Sequence, residues 1–199
     1  MPVILKEKIE DSVFVLVWQI TETESFFLHS LQLNSQDLNS IMACNLESRR
    51  LERLACRYAL SCLLQASRIE ITYSPNGQPL LAGKHISFSH AKKIVAVACA
   101  DFPIGIDIEK IQDKIVALHS KFVSKDELTS EELKNSEAIT RVWTAKEAVY
   151  KLFSGDVPDF REQIFVKSDK ATVFLHDEVH STKLFHWKIE EYQCTLCVK

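Results

Sequence analysis

Apolar residues along the chain recur with two different periods, one typical of buried strands and the other typical of amphipathic helices. Short runs rich in valine, isoleucine and phenylalanine predict strands, at residues 13–18, 85–89, 94–100 and 104–109. The last three of these runs follow one another closely, which predicts three successive strands. Apolar and polar positions alternate near the C-terminus, which predicts an antiparallel meander, over residues 165–166, 172–175, 183–189 and 192–198.

Two longer segments place apolar residues three and four positions apart, which is typical of a helix with one buried face. The first covers residues 47–65, where the apolar stripe runs from Leu51 to Cys62. Its opposite face is predicted to be basic and solvent-facing, with Arg49, Arg50, Arg53 and Arg57. The second covers residues 136–153 and is followed by Gly155 as a stop signal.

Strands and helices are mixed along the chain without a strict strand–helix–strand rhythm, so the predicted fold class is α+β. Clustered proline, asparagine and glycine at residues 74–79 predict a tight turn between two extended segments. The sequence contains no repeat, low-complexity tract or obvious linker.

Composition narrows the class of protein. The chain has 199 residues, of which 46% are hydrophobic and 26% charged, and this excludes a natively disordered protein. The formal net charge of −3 argues against a general nucleic-acid-binding protein, which usually has a strongly basic surface. Uncharged apolar stretches are far shorter than the roughly 20 residues of a membrane-spanning helix. Acidic residues precede any long apolar run at the N-terminus, unlike in a signal peptide, so we expect a cytoplasmic protein.

The six cysteines lie mostly within apolar stretches, and reduced core thiols are expected rather than disulfides. Cys194 and Cys197 form a CxxC pair. A structural zinc site normally needs a second pair at suitable spacing, which the sequence lacks. We therefore interpret both residues as part of a C-terminal strand.

Residues 104–110, with the sequence IGIDIEK, form the first candidate site. Side chains alternate between the faces of a strand, so Asp107 and Glu109 share a face with Gly105 while the isoleucines point into a core. Neighbouring carboxylates repel each other unless a cation lies between them, and oxygen ligands suit Mg²⁺. Gly105 is expected to clear space beside the carboxylates. The alternative is a half-exposed strand whose acidic residues face water.

The second candidate site lies on the second predicted helix. Glu147 and Lys151 are four residues apart and share a face with Trp143 and Thr144. Lys146 is expected to lie to the side of this face. An isolated pair of this kind is usually a solvated ion pair worth a few tenths of a kcal/mol. The functional interpretation therefore depends on the other candidate sites.

The third candidate site is the end of the strand predicted at residues 85–89. Ser89 and His90 offer a hydroxyl and an imidazole, which can bind a phosphate oxygen. The alternative is an ordinary surface histidine with a satisfied hydrogen bond.

Together the three sites resemble the 4′-phosphopantetheinyl transferase superfamily, and in particular its longer, Sfp-like branch. The matching motifs are Ser89 and His90 in the sequence FSH, the run GIDIEK at residues 105–110, and WTAKEAVYK at residues 143–151. Their order and spacing match the family over about residues 85–152. The turn at residues 74–79 extends the match more weakly, and the chain length also matches this branch.

The resemblance implies a fold of two similar α+β halves with pseudo-two-fold symmetry and coenzyme A in the cleft between them. On this basis we divide the chain into residues 1–101 and residues 102–199. The N-terminal half would contact the nucleotide of coenzyme A, and the C-terminal half would carry the metal site and the catalytic helix. A pseudo-dimer that already encloses its site implies a monomer.

The resemblance also implies the reaction of a holo-[acyl-carrier-protein] synthase. The 4′-phosphopantetheine group of coenzyme A would be transferred to a serine of an apo acyl or peptidyl carrier protein, releasing adenosine 3′,5′-bisphosphate. One Mg²⁺ would be held by Asp107, Glu109 and Glu147. Glu147 would also be the general base, directly or through a metal-bound water. Lys151 would be the catalytic cation that neutralises phosphate charge.

Contacts with coenzyme A are implied for seven residues, namely Ser89, His90, Asp107, Lys146, Lys151, Arg49 and Gln78. The turn usually reads Gly-Lys-Pro in this family, whereas here the uncharged Gln78 replaces the lysine. Lys84 or the helix arginines would then have to compensate. Glu127 matches an acidic position of the family near the substrate and is given a supporting role, the alternative being a solvated helix acid.

Carrier proteins of this kind are acidic helical bundles, so a local basic or apolar docking surface is expected. Lys121, Phe122 and Lys125 are predicted to form part of it. Two other functions stay open, a non-catalytic module that binds coenzyme A or a carrier, and a Mg²⁺-dependent phosphohydrolase. No nucleic-acid or membrane partner is expected.

Overall fold

The structure, a computed structural model, describes residues 2–157 and 159–199. The chain forms two compact units, the first ending at Phe102 and the second beginning at Pro103. Each unit combines an antiparallel sheet with a long helix, so the predicted α+β class is confirmed. The pseudo-two-fold symmetry and the functional division between the halves stay predictions.

The first unit contains a sheet with the strand order β1-β2-β6-β5 and a small hairpin of β3 and β4. Its strands are β1 (Val3–Glu10), β2 (Val13–Gln19), β3 (Ile71–Tyr73), β4 (Pro79–Leu81), β5 (His85–Ala91) and β6 (Ile94–Ala100). Its helices are α1 (Glu24–Ser30), α2 (Ser35–Met42) and α3 (Glu47–Leu64). The apolar pattern missed β1, because this edge strand exposes several charged side chains and buries only part of one face.

Helix α3 confirms the helix predicted at residues 47–65 and forms the core of the first unit with the sheet. Leu54, Ala59 and Leu60 are fully buried and belong to the same apolar cluster as Val95 and Val97 of β6. This packing gives the helix its stability, since a helix of this length gains little from propensity alone.

The prediction that Arg57 faces solvent on α3 is wrong. Arg57 is 3% exposed, and its Nε donates a hydrogen bond to Oδ2 of Asp37 at 2.7 Å. Its Nη2 donates to the hydroxyl of Tyr73 at 2.8 Å. Because a carboxylate from α2 compensates the guanidinium, α3 can bury a charged residue on a side that its apolar stripe does not include.

The second unit contains an antiparallel sheet with the strand order β7-β11-β10-β9-β8. Its strands are β7 (Ile104–Lys110), β8 (Ile164–Lys167), β9 (Lys170–Leu175), β10 (Glu178–Ile189) and β11 (Tyr192–Val198). Its α-helices are α4 (Ser136–Leu152) and α5 (Phe160–Gln163), and two 3₁₀ helices cover Asp113–Lys121 and Glu132–Lys134. The predicted C-terminal meander is confirmed by β8 to β11, and α4 confirms the helix predicted at residues 136–153.

Strand β7 does not join the two strands that precede it. Strand β6 is already paired with β2 on one side and with β5 on the other, so it has no free edge for β7. Instead β7 pairs with β11, the last strand of the chain. The run of three successive strands seen in the sequence is therefore divided between two sheets.

Gly105 permits close contact between α4 and β7. A Cβ built at this position would lie 1.9 Å from the carbonyl oxygen of Ala148 and 2.8 Å from the backbone nitrogen of Leu152. The expectation that Gly105 clears space beside the carboxylates is therefore corrected, because the backbone of α4 fills that space.

All six cysteines are free thiols, and Cys194 and Cys197 are buried in β11 as expected. None of the helices in the described residues is long and apolar enough to cross a bilayer.

We expect Gly105→Ala to lower the free energy of unfolding of the second unit by about 3 kcal/mol or more, because the added methyl group overlaps backbone that cannot rotate away. The matched control is Gly83→Ala. Gly83 has a φ of +72° and no atom within 4 Å of an added Cβ, so it should lose only about 1 kcal/mol from backbone strain. Urea denaturation followed by circular dichroism measures both. Equal losses would contradict the close contact.

Candidate active site

Three carboxylates of the second unit form one electrostatically coupled group. Asp107 and Glu109 belong to β7, and Glu147 belongs to α4. The charge of Asp107 acts on both glutamates, and the charge of Glu109 acts on Glu147. Both glutamates also line the same cavity. The three residues predicted to hold a metal ion are thus near enough to influence one another electrostatically.

Glu147 has a strongly perturbed acidity. Burial and the negative charges of Asp107 and Glu109 raise the pKa of Glu147 to about 7, against the opposing effect of Lys151. A carboxyl group with this pKa can take up a proton near neutral pH, which is what general base catalysis requires.

Lys151 compensates the charge of Asp107. Its Nζ donates to Oδ1 of Asp107 at 2.7 Å and to the carbonyl oxygen of Ile106 at 2.9 Å. Asp107 is 4% exposed, whereas the side chain of Lys151 is 28% exposed. The ammonium group therefore joins the end of α4 to β7, while the side chain as a whole stays partly exposed.

Trp143 supports Glu109 from α4. Burial and the charge of Asp107 raise the pKa of Glu109, and a hydrogen bond from the Trp143 side chain partly opposes this. The indole ring packs edge to face against Phe122, with ring centroids 4.8 Å apart, and lies 5.7 Å from Phe160. Aromatic packing on two sides fixes the indole that holds this carboxylate.

A cavity of about 650 Å³ adjoins the two glutamates. Glu109 and Glu147 lie in its lining together with apolar side chains, which are Ile115, Leu118, Phe122, Trp143 and Phe160. Lysines also border it, namely Lys110, Lys114 and Lys121. The contribution of the 3₁₀ helix Asp113–Lys121 does not show in the sequence, because its tight turns leave no 3.6-residue apolar period. An apolar cavity with a few converging polar groups is the usual form of a ligand site.

The structure separates the three residues predicted to bind a carrier protein. Lys121 and Lys125 are exposed, but Phe122 is 5% exposed and packs on Trp143. Phe122 therefore forms a wall of the cavity, and this argues against its role as an exposed docking residue. A docking surface at Lys121 and Lys125 stays a prediction.

The donor set at the coupled carboxylates suits a hard divalent cation. Burial and then the negative charge of neighbouring oxygens raise the pKa of Glu109 and of Glu147, and a cation bound between the carboxylates would oppose both effects by favouring their charged forms. Nevertheless, among residues 2–157 and 159–199 no group of three or more His, Cys, Asp or Glu side chains is arranged to hold a metal ion. The Mg²⁺ site at Asp107, Glu109 and Glu147 therefore stays a prediction.

Lys146 is fully buried, which sequence spacing did not predict. Its Nζ lies 2.9 Å from Oε2 of Glu127 and donates to Oγ of Ser124 at 2.9 Å. It also donates to the carbonyl oxygens of Phe160 and Ile164, at 2.8 and 2.7 Å. Burial lowers the pKa of Lys146, while Glu127 opposes this effect. An ammonium group has three protons to donate, and these four oxygen partners already accept them. This geometry therefore argues against the predicted contact of Lys146 with a phosphate.

Glu127 is the buried partner of Lys146. Its side chain is 3% exposed and accepts hydrogen bonds from the backbone N–H groups of Ser124, at 2.5 Å, and Val166, at 2.7 Å. The alternative of a solvated helix acid is wrong, because the residue lies in a bend outside any helix and its side chain is only 3% exposed. The pair joins α4 to the loop before α4 and to β8.

In the first unit the structure brings together two of the residues predicted to bind coenzyme A. Arg49 Nη1 lies 3.1 Å from Nδ1 of His90 and donates to Oε2 of Glu52 at 3.1 Å. His90 Nδ1 lies 3.2 Å from the same oxygen of Glu52. The side chain of Arg49 is 54% exposed, whereas that of Glu52 is 11% exposed. Sequence reasoning missed Glu52, although its spacing of three residues from Arg49 on one helix was an available signal.

The other arginines of α3 make internal contacts. Arg50 Nε donates to Glu24 at 3.1 Å, and Arg53 Nη1 donates to the carbonyl oxygen of Ser40 at 3.1 Å. Together with the buried Arg57, they hold α3 against α1 and α2. Arg49 is therefore the arginine of this helix whose contacts lie beside His90.

The remaining predicted residues of the first unit lie in the small hairpin and in β5. The backbone N–H of Gln78 donates to Oγ of Ser74 at 3.1 Å, within the predicted turn. Lys84, considered as a compensating cation, forms an ion pair with Asp101 at 2.5 Å. Ser89 is 7% exposed on β5. Their contacts with coenzyme A stay predictions.

Two comparisons with known proteins found similar sequences. Residues 103–197 match the family described as the 4′-phosphopantetheinyl transferase superfamily. A curated relative, the 4′-phosphopantetheinyl transferase psf-1 of Bacillus pumilus, is 37% identical over 84 residues. That stretch covers 39% of this chain and 36% of the relative, so the match spans only about a third of the relative's length.

We expect Lys146→Met to lower the free energy of unfolding by roughly 3–5 kcal/mol, because it leaves the carboxylate of Glu127 buried without its ammonium partner. The double variant Lys146→Met/Glu127→Leu should regain most of this loss. Urea denaturation measures the three proteins. Calorimetric titration with coenzyme A is the second readout, and a selective loss of affinity in the stable double variant would show that Lys146 binds the ligand after all.

The buried imidazole of His186 in β10 is expected to make the free energy of unfolding depend on pH. Its Nδ1 lies 3.0 Å from Oγ1 of Thr195 and its Nε2 lies 3.1 Å from the carbonyl oxygen of Ser168. Burial, with a smaller effect of Arg141, lowers the pKa of His186 from 6.5 to about 4. Between these two values the unfolded chain binds a proton that the folded chain does not, so the free energy of unfolding should fall as the pH falls from 6.5 to 4.

His186→Gln should flatten this part of the stability curve, since it removes the group that takes up the proton. Urea unfolding at several pH values between 4 and 7 measures the slope for both proteins. Identical slopes would show that the imidazole does not contribute.

Proposed function

We propose that this chain, whose residues 103–197 match the 4′-phosphopantetheinyl transferase superfamily, is itself a phosphopantetheinyl transferase. The chain transfers the 4′-phosphopantetheine group of coenzyme A to a serine hydroxyl of an apo acyl or peptidyl carrier protein. A phosphodiester forms on the serine oxygen, the diphosphate bond of coenzyme A breaks, and adenosine 3′,5′-bisphosphate leaves. The coupled group of Asp107, Glu109 and Glu147 beside the cavity is the observation that carries this proposal.

Asp107, Glu109 and Glu147 would hold one Mg²⁺, because hard cations prefer carboxylate oxygens. When bound, this ion would draw negative charge from the phosphate oxygens of the diphosphate. The chain keeps the ligands in place through Lys151, which donates to Asp107, and Trp143, which donates to Glu109. Such supporting contacts fix the orientation of ligating carboxylates.

Glu147 accepts the proton of the carrier serine, directly or through a water. Its pKa of about 7 supports this role, since it allows the carboxylate to be present at neutral pH and still to be a useful base. The adjoining cavity supplies space for the reacting groups next to this carboxylate.

Lys151 stabilises the negative charge that develops on the leaving bisphosphate. Its ammonium group lies beside Asp107 and its side chain is partly exposed, as a residue that contacts a phosphate must be. Lys146 holds α4 in place from the interior instead of contacting the substrate.

In the first unit, Arg49 and His90 bind a phosphate group of coenzyme A. A partly exposed guanidinium next to an imidazole offers charged and directional donors for phosphate oxygens. The buried carboxylate of Glu52 orients both groups. Ser89 and Gln78 add hydrogen-bond donors without charge.

The carrier protein binds through the exposed Lys121 and Lys125, whose charge complements an acidic helical bundle. The protein acts as a cytoplasmic monomer in this proposal. Its pathway depends on which carrier it selects.

Intact-mass spectrometry of apo carrier proteins tests the reaction. Incubation with the chain, coenzyme A and Mg²⁺ should add one phosphopantetheine group, a gain of about 340 Da for this type of phosphoryl transfer, and EDTA should abolish it. No gain on any carrier, with coenzyme A still bound, would replace the proposal by a non-catalytic binding module. Free phosphopantetheine without a carrier would indicate a hydrolase.

The same assay applied to two glutamine variants of α4 assigns the chemistry to one residue. Glu147→Gln should slow transfer by at least about 100-fold, because it removes a charged ligand and the base. Glu137→Gln is the matched control, since Glu137 lies in the first turn of α4 and pairs with Lys188 near the surface. Undiminished turnover of Glu147→Gln would remove both roles from residue 147.

A further inference from the structure

A row of three polar side chains crosses the sheet of the second unit beneath α4. The strand register places Thr195 of β11 opposite Asp107 of β7 on one side and opposite His186 of β10 on the other. Cross-strand partners share one face of a sheet. The row therefore begins at a predicted metal ligand and continues through two residues to which the sequence motifs assign no role.

Hydrogen bonds give this row a fixed direction. Thr195 is fully buried, and its Oγ1 lies 2.8 Å from Oγ1 of Thr144 and 3.0 Å from Nδ1 of His186. Nε2 of His186 lies 3.1 Å from the carbonyl oxygen of Ser168, which can only accept. Nε2 therefore carries the proton and Nδ1 accepts. It follows that the hydroxyl of Thr195 donates to His186, and that the hydroxyl of Thr144 shares its one proton between Thr195 and the carbonyl oxygen of Arg141, 3.1 Å away.

Thr144 connects this row to the candidate active site. It lies on α4 directly after Trp143, which donates to Glu109, and three residues before Glu147. A directional hydrogen bond on a buried helix side fixes the rotation of the helix about its axis. The close contact at Gly105 limits how near α4 lies to the sheet. Lys146 and Lys151 hold the helix through polar contacts, and the contact between Thr144 and Thr195 adds a directional constraint towards β11.

We propose that Thr195, oriented by His186, is a positioning residue that, together with the contacts of Lys146 and Lys151, sets the rotation of α4 and so the placement of Glu147 over β7. Its kinetic consequence rests on the proposed transferase function, whereas its effect on the placement of α4 does not. Thr195 touches no substrate; it acts through Thr144.

Kinetics with three threonine variants test the proposal. Thr195→Val keeps the shape and removes the hydroxyl, and it should lower kcat for transfer on the order of 10-fold while KM for coenzyme A is unchanged. Thr195→Ser keeps the hydroxyl and should restore most of the rate. The matched control is Thr182→Val, a buried threonine of β10 outside the row whose Oγ1 lies 3.4 Å from the carbonyl oxygen of Ala171. It should retain the kcat of the unchanged chain.

The indole N–H resonance of Trp143 in ¹⁵N NMR is a readout that does not depend on activity. Thr195→Val should shift this resonance, Thr182→Val should not, and Trp18 of the first unit serves as the internal reference. If the unchanged chain transfers nothing, the proposed function fails, and the Trp143 resonance still decides the positioning role. Should Thr195→Val not fold, His186→Leu removes the acceptor of the same hydroxyl and should shift the resonance as well. An unmoved Trp143 resonance, or equal kcat in the Thr195 and Thr182 variants, would overturn the proposal.

Discussion

The direct contact between the backbones of α4 and β7 at Gly105 is the constraint on which the second unit depends. No side chain separates the two elements there, since an added Cβ would lie 1.9 Å from the carbonyl oxygen of Ala148. This proximity lets Lys151 reach both the backbone of β7 and the carboxylate of Asp107. The glycine therefore makes the candidate active site possible by bringing the helix to the strand. If Gly105 had instead left room for a ligand, α4 and β7 would lie further apart, and Asp107 would lack the ammonium group of Lys151 as its partner.

Charge compensation divides the polar residues of α4 into two groups with different roles. Lys146 faces the interior, where Glu127 and three oxygen acceptors surround it. Lys151, one turn later, pairs with Asp107 and remains partly exposed. Breaking a buried pair is costly even where the intact pair adds little net stability, so the Lys146 contact holds the helix while leaving the opposite side for chemistry. Glu147 lies between these lysines in sequence, and its raised pKa reflects two neighbouring acids as well as burial.

Apolar patterns predicted α3, α4 and the strands of both sheets except β1, whose exposed charged side chains hide its pattern. Which strands pair with each other was harder to predict from the sequence, since the place of β7 depended on β6 having no free edge. The motifs identified Asp107, Glu109 and Glu147, but spacing on a helix did not show that Lys146 points inward. The roles of Glu52 and Thr195 were missed for a related reason. A glutamate in a basic helix and a threonine in a strand are common residues, and only tertiary contacts with His90 and His186 distinguish them.

The distribution of positive charge in the first unit has a consequence for phosphate recognition. Of the four arginines on α3, Arg50, Arg53 and Arg57 hold neighbouring helices in place. Lys84 is paired with Asp101, and the turn carries the neutral Gln78 where the family usually has a lysine. Arg49 and His90 then offer a guanidinium and an imidazole to a phosphate at this site, with Glu52 orienting them. In such an arrangement a bound phosphate would be selected more by the geometry of two donors than by a high density of positive charge.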